Sequence, residues 1–404
     1  MLITCRSKRT EERRFLVAWA LIGLGLGSAT AFGGFATDEG PPPATHTVEE
    51  RPALLRQLQG QLKGQVVPAI SRDGSRVAAG TGIAVTIWDA GSGQILRTFG
   101  DSDPVDPMND EQPAGTDDIA ISPDGDRVAT SGAARIMMMN GGISRNGVRA
   151  GAVIKLWDVP AGRLIRSIDP GSTTEAMSFG DRGRTLVAVI SGQHARTSGE
   201  TIGFRDFKLT KVRWQTGYRY GDLAKHTAFS ADALRSACFR QSDDRVAADL
   251  FDVATGRATA LGYEKMIGSP QSIAVTDDGK RVAIVSSDHS LTIWDFESAK
   301  LLRFVPSPQA GNDRSTWPLV LAFDSKGRRI AAGSADGVVR IWDDDGSDRP
   351  SRTIAGPAAP VRGIVCPEGG FRVVSGGCLI PGVYVGIPKI SPLTVWDVGP
   401  GPQP

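Results

Sequence analysis

From residue 54 to the C-terminus, apolar and polar residues alternate in short runs closed by Gly-containing turns. A period of two predicts strands with one side chain in and the next out, not helices. The runs come in pairs around a tight corner, as in "IAISPDGDRVATSG", "IAVTDDGKRVAIVSS", "LAFDSKGRRIAAGS" and "AISRDGSRVAAG". In "SPDG", Ser122 to Gly125, Pro presets the first turn dihedral, Asp favours the next position and Gly accepts the left-handed one, so two antiparallel strands must follow. A third strand then ends on a Trp-Asp corner, and after another Gly turn a fourth strand follows, as in "VTIWDAGSGQILRTF" (Val85 to Phe99).

The same unit returns as "VIKLWDVPAGRLIRSI", "SLTIWDFESAKLLRFV" and "VVRIWDDDGSDRPSRTI". Counting gives seven units. Five carry the dipeptide outright, at Trp88-Asp89, Trp157-Asp158, Trp294-Asp295, Trp342-Asp343 and Trp396-Asp397, and two are degenerate, at Phe251-Asp252 and at "FRD", Phe204 to Asp206. A chain built from one repeated unit is an array in which each unit buries its faces against its neighbours.

In these positions the chain resembles the WD40 repeat family, over about Leu54 to Asp397. The resemblance implies an all-β fold, a seven-bladed β-propeller of four-stranded antiparallel blades. The chain departs from the family at the Gly-His dipeptide that often precedes the first strand, which is missing here, although Asp288 and Asp336 look like the family's loop Asp. Packing is therefore expected to hold the blades more than a buried polar network does. The last unit stops at "TVWDVGPGPQP" with no fourth strand, whereas "ALLRQLQG", Ala53 to Gly60, stands before the first unit and resembles an orphan "QILRTFG". The expected closure pairs this N-terminal strand with the last blade; the competing reading of the same stretch is a short amphipathic helix.

The N-terminus has another pattern. Arg6, Lys8, Arg9, Arg13 and Arg14 precede an uncharged run from Phe15 to Ala36, the layout of an export signal, or of an uncleaved anchor, since the run is long enough to span a bilayer. The organisation expected is thus a signal or anchor over 1–36, a flexible Pro-rich linker over 37–50, the propeller over 51–400 and a tail over 401–404. The basic flank would stay inside and the propeller would lie in the periplasm or cell envelope. Beyond Ala36 acids and bases nearly balance, so no basic face for nucleic acid is indicated, and membrane contact is expected only through an uncleaved N-terminal segment. Cys238, Cys366 and Cys378 form no disulfide framework and have no metal-ligand spacing; Cys366 and Cys378 are expected at opposite ends of a hairpin, and free.

Chemistry is sparse. No nucleophile elbow, zinc-helix or phosphate-loop motif occurs. His46 lies in the linker, and His194, His226 and His289 fall in separate units, as surface or turn residues. No catalytic residue, metal or cofactor is assigned. The acidic stretch Asp101 to Asp118 has Asp101, Asp103 and Asp106 but lacks calcium-loop spacing, so it reads as a solvated loop.

The insertions say more. Loops between second and third strands swell to "AARIMMMNGGISRNGVRAGA", "GQHARTSGE" and "CLIPGVYVGIPKISP", and the links between units lengthen at "DSDPVDPMNDEQPAGTDD" and "PSPQAGNDRSTWP". In a propeller both loop types emerge on one face, so this face is expected to be a recognition surface. Its candidate contacts are Met137, Met138, Met139, Arg145, Arg149, Trp317 and Tyr384, with the bland reading that the large apolar groups pack beneath their own loops. The favoured function is a non-catalytic, monomeric, exported scaffold for a protein or peptide. The alternatives are a propeller enzyme, such as a quinoprotein-like oxidoreductase or a lyase, and a small-ligand sensor.

Overall fold

The computed structural model describes residues 49–50, 54–60, 67–81, 84–100, 116–132, 153–168, 170, 174–180, 183–191, 199–205, 208–214, 227–242, 245–261, 269–306, 317–367, 370–377 and 391–399. Thr47–Pro404 form one compact unit. Two strands come before the first repeat, β1 (Glu49–Glu50) and β2 (Leu54–Gln57). The repeats then form antiparallel four-stranded meanders. The first holds β3 (Val67–Ile70), β4 (Arg76–Thr81), β5 (Ala84–Asp89) and β6 (Ile95–Gly100). The second holds β7 (Thr116–Ile121), β8 (Arg127–Gly132), β9 (Val153–Asp158) and β10 (Arg163–Ile168). The third holds β11 (Thr174–Gly180), β12 (Thr185–Ser191), β13 (Gly199–Arg205) and β14 (Lys208–Trp214).

The fourth contains β15 (Thr227–Phe229), β16 (Arg235–Ser242), β17 (Arg245–Asp252) and β18 (Arg257–Ala260). In the fifth are β19 (Pro270–Val275), β20 (Arg281–Ser286), β21 (Leu291–Asp295) and β22 (Leu301–Val305). The sixth has β23 (Pro318–Phe323), β24 (Arg329–Ser334), β25 (Val338–Asp343) and β26 (Arg352–Ala355), with β1 added in parallel along the outer edge of β26. These six sheets are each complete from consecutive strands. The remaining sheet is composite: β27 (Val361–Val365), β28 (Phe371–Gly377) and β29 (Ser391–Val398) acquire their fourth strand from β2, antiparallel, with Leu54 opposite Asp397 and Gln57 opposite Thr394. Among the described residues the last repeat takes its outer strand from residues 54–57, which are strand, not helix.

The core lies between sheets, in a ring of interfaces. Val285, Leu291 and Val305 of the fifth sheet meet Leu321, Phe323 and Trp342 of the sixth, and Val374, Leu393 and Val395 of the composite sheet meet Val77 and Trp88 of the first, with Leu58 between them. Middle strands touch a neighbour on both faces, so β25 is buried at four consecutive positions and its strict alternation is lost. Outer strands lie at the rim: β10 is exposed at five of its six residues.

Candidate functional site

A meander with this strand order has two unlike ends, and the hairpin chemistry makes one of them rigid. At the turn end, Ser71, Ser122, Ser230 and Thr276 each donate a side-chain hydroxyl to the Asp two residues on, at 2.6, 2.5, 2.5 and 2.7 Å, and accept the backbone N–H of an Arg five residues on. Asp324 takes the hydroxyl's place in the sixth sheet, accepting from Arg328 and Arg329. The fourth turn residue is left-handed, as at Gly125 (φ 74°), where a Cβ would stand 2.5 Å from Arg76 Cγ of the preceding sheet. In the fourth sheet Ala233 holds this conformation at φ 57°.

The Arg that follows each turn ties sheet to sheet. Arg127 Nη1 donates to Gly183 O at 2.7 Å, Arg235 Nη1 to Gly279 O at 3.0 Å, and Arg372 Nη1 to Gly74 O at 2.7 Å, the last joining the final repeat to the first. The Trp-Asp corners are structural too. Asp89, Asp158, Asp252 and Asp295 accept backbone N–H groups of the turn that follows them, and Asp397 instead holds Arg372 through two bonds. Trp88, Trp342 and Trp396 are almost wholly buried, and Trp157 is half-buried and stacked on Phe99. Trp88 Nε1 donates to Gln59 O and Trp396 Nε1 to Ser375 Oγ. Trp294 and Trp342 are buried, and their indole N–H groups meet no acceptor among the described residues. Asp343 closes β25, the corner of the sixth sheet.

The opposite end carries the longer connections. The chain leaves the second sheet at Gly132 and returns at Val153, leaves the composite sheet at Gly377 and returns at Ser391, and passes from Gly100 to Thr116 and from Val305 to Pro318 between sheets. Met137, Met138, Met139, Arg145, Arg149 and Tyr384 fall in these connections and lie outside the described residues, as do the Asp101–Asp106 acids, His46, His194, His226 and Cys378. Trp317 is described. It is half-buried beside β23, its carbonyl accepts Ala335 N–H at 2.9 Å, and its indole nitrogen is withdrawn from solvent, so this side chain is partly embedded in its own sheet rather than wholly displayed. His289, expected as a surface or turn residue, is a turn residue at φ 65° but is buried. Burial, and then the Arg340 guanidinium, hold its imidazole below the usual range, against Asp336 and Asp288. Arg340, itself buried and bonded to Ser334 Oγ at 3.2 Å, brings a cation near the loop residue Asp336.

A third feature carries no sequence motif. First strands of several sheets line an axial cavity of about 420 Å³ bounded by Phe229, Ile273, Leu321, Arg362 and Val365. Across its turn-end mouth, Arg72 of the first sheet meets Asp277 of the fifth at 2.9 Å. Burial pushes the Asp277 carboxyl up, Arg72 opposes this, and Asp278 and Asp324 add to the rise. Both partners occupy the second position of their turns, "SRDG" and "TDDG". Comparing that position across repeats would have found the pair: in both turns it is the residue that points into the cavity.

Cys366 stands at the same mouth, its thiol donating to Pro367 O. Burial, with Asp324 next, pushes the thiol up to about 11. At pH 8 about one molecule in a thousand would hold the reactive thiolate. Iodoacetamide is therefore expected to label Cys366 slowly in the folded protein and rapidly in denaturant; equal rates read by peptide mass mapping would contradict this placement. Among the described residues, no three His, Cys, Asp or Glu side chains converge to hold a metal.

The comparisons agree with this geometry. Residues 315–343, which hold β23 to β25, match the WD40 family, described as "WD domain, G-beta repeat". The β-propeller domain of Cps50 (Swd1) from Myceliophteria thermophila is similar in fold, with a TM-score of 0.54 at 14% identity, covering 85% of this chain and 100% of that one. No curated protein matches the sequence. The class defined is an all-β propeller of four-stranded antiparallel blades carrying a WD40 repeat.

Proposed function

We propose that this chain is a non-catalytic scaffold that binds a protein or peptide on the loop end of its propeller, and that it does so after export to the periplasm or cell envelope. The supporting observation is the asymmetry of the connections. Every long excursion named above departs from the loop end, whereas the turn end is occupied by hairpins whose polar groups satisfy one another. Loops freed from the ladder vary without breaking the fold, and recognition concentrates there. The export reading rests on the basic residues before the uncharged run Phe15 to Ala36.

A few large side chains carry most of the affinity of such a surface. Once the partner is isolated with the full chain from its native envelope, Tyr384→Ala is expected to weaken it by about 1 to 3 kcal/mol with the melting temperature unchanged. Trp317→Ala is expected to weaken binding and also lower the melting temperature, because this ring is half-buried. Arg328→Ala, an exposed residue in a turn-end hairpin, is expected to change neither. Equal loss of affinity from both ends, or none from Tyr384→Ala, would reject the loop end as the site. Fractionation that finds the full-length chain soluble in the cytoplasm would reject export.

A further inference from the structure

The outer strand of the second sheet differs from the other rim strands. Its residues Arg163, Leu164, Ile165, Arg166 and Ser167 are all exposed, and Leu164 and Ile165 remain 43% and 36% accessible. Rim strands elsewhere turn some of these positions inward: β6 buries Phe99, β22 buries Val305 and β26 buries Ile354. A bulge between Leu164 and Arg166 interrupts the pairing with β9, as equivalent bulges do in β6 and β22, but in β10 both adjacent apolar residues, Leu164 and Ile165, stay exposed. β10 ends its sheet, so one row of its backbone N–H and C=O groups has no strand beside it among the described residues.

Charge on this edge has one sign. β10 carries two arginines and no acid, and Arg97 of the neighbouring sheet reaches Pro160 O in the turn that leads into it. Asp158, the nearby acid, is committed to capping that turn through Ala161 N–H. The molecule itself shows what such an edge takes. On the sixth sheet, the acidic pair Glu49–Glu50 lies in parallel along β26, opposite Thr353 and Ile354, in a strand that begins with Arg352. An outer strand led by an arginine thus already accepts an acidic extended segment from within the chain.

We infer that β10 is a second docking edge, on which an extended segment of a partner protein, alternating acidic and branched apolar residues, adds as a fifth strand. Main-chain hydrogen bonds along the edge would supply binding, Leu164 and Ile165 would take the apolar side chains, and Arg163 would select an acid. This edge is on the rim and does not depend on the loop-end reading.

The test uses the full chain and a fluorescein-labelled, end-blocked hexapeptide, Asp-Val-Glu-Ile-Glu-Leu, followed by anisotropy. The acidic peptide is expected to bind at least about tenfold tighter than its counterpart with lysine at each acidic position, since lysines placed against the arginines of this edge are repelled. N-methylation of alternate amides is expected to weaken it by a similar factor, because a strand without its N–H groups cannot join a ladder. Arg163→Glu, at an exposed site that leaves the core untouched, is expected to reverse the preference between the two peptides. Leu302→Glu, at the 55% exposed position on the rim strand β22, is expected to leave binding unchanged. Equal affinity for acidic and basic peptides, indifference to N-methylation, an equal loss from Leu302→Glu, or no binding below about 1 mM would each overturn the assignment.

Discussion

Deletion of residues 53–60 is expected to abolish cooperative unfolding of the propeller or to shift its denaturation midpoint far down. Four registered pairs join β2 to β29, and the chain beyond β2 continues the seam: Leu58 N–H donates to Leu393 O at 2.8 Å and Gln59 N–H to Gly93 O at 3.0 Å. Leu58 is buried between the composite and first sheets, and a buried Leu truncated to Ala costs about 2 to 5 kcal/mol by itself. Trp88 would also lose Gln59 O, its indole acceptor, leaving a buried N–H unsatisfied at about 1 to 3 kcal/mol. β29 would become an open edge available to other chains, so aggregation should accompany the loss. Urea titration by tryptophan fluorescence, with light scattering alongside, reads both effects. An unchanged midpoint in a monodisperse deletion variant would show that the ring does not need this strand.

Arg372→Ala is the second large effect expected. This guanidinium bonds both oxygens of Asp397, at 2.6 and 2.9 Å, and reaches Gly74 O at 2.7 Å, so one side chain braces its own sheet and clasps the first. The two partners are 22% and 26% exposed, shielded enough that removing one leaves the other poorly solvated. Breaking a fully buried pair costs about 3 to 5 kcal/mol, and partial exposure brings the expectation to about 2 to 4 kcal/mol. The same change at Arg257, whose contact to Glu297 is 3.9 Å with both side chains mostly exposed, should not be measurable. A double-mutant cycle with Asp397→Ala separates the ion pair from the Gly74 contact. A midpoint for Arg372→Ala as near the wild type as that of Arg257→Ala would show that the clasp contributes nothing.

Much of the fold was legible because its rules are local. Hairpin turns need a left-handed residue and a side-chain cap, and "SPDG" or "SRDG" states both in four letters. The Trp-Asp corner recurs because a third strand that turns into the fourth needs a cap, which Asp89 and Asp295 provide by accepting N–H groups from Ser92 and Ser298. Ala53 to Gly60 could be matched to the last repeat because an unfinished meander and an orphan strand complement each other. Its helical periodicity could be rejected only by the ladder to β29.

The candidate sites were less legible. The motif search favoured loops whose large residues fall mostly outside the described structure, and it passed over Arg72 with Asp277, which are far apart in sequence and meet across the axial cavity. His289 shows the same limit: its letter and turn position could not reveal that burial, and then Arg340, hold its imidazole below the usual range. By itself, then, the sequence determined the strands, the turns, the repeat and the missing fourth strand of the last unit, since each follows from dihedral preferences and alternation within a few residues. The tertiary structure alone decided which turn residues face one another across the cavity, which Arg clasps which neighbouring carbonyl, and that β26 gains an added strand while β10, among the described residues, does not. Those depend on how sheets are arranged around a ring, and a contact between residues hundreds of positions apart leaves no mark in any local pattern.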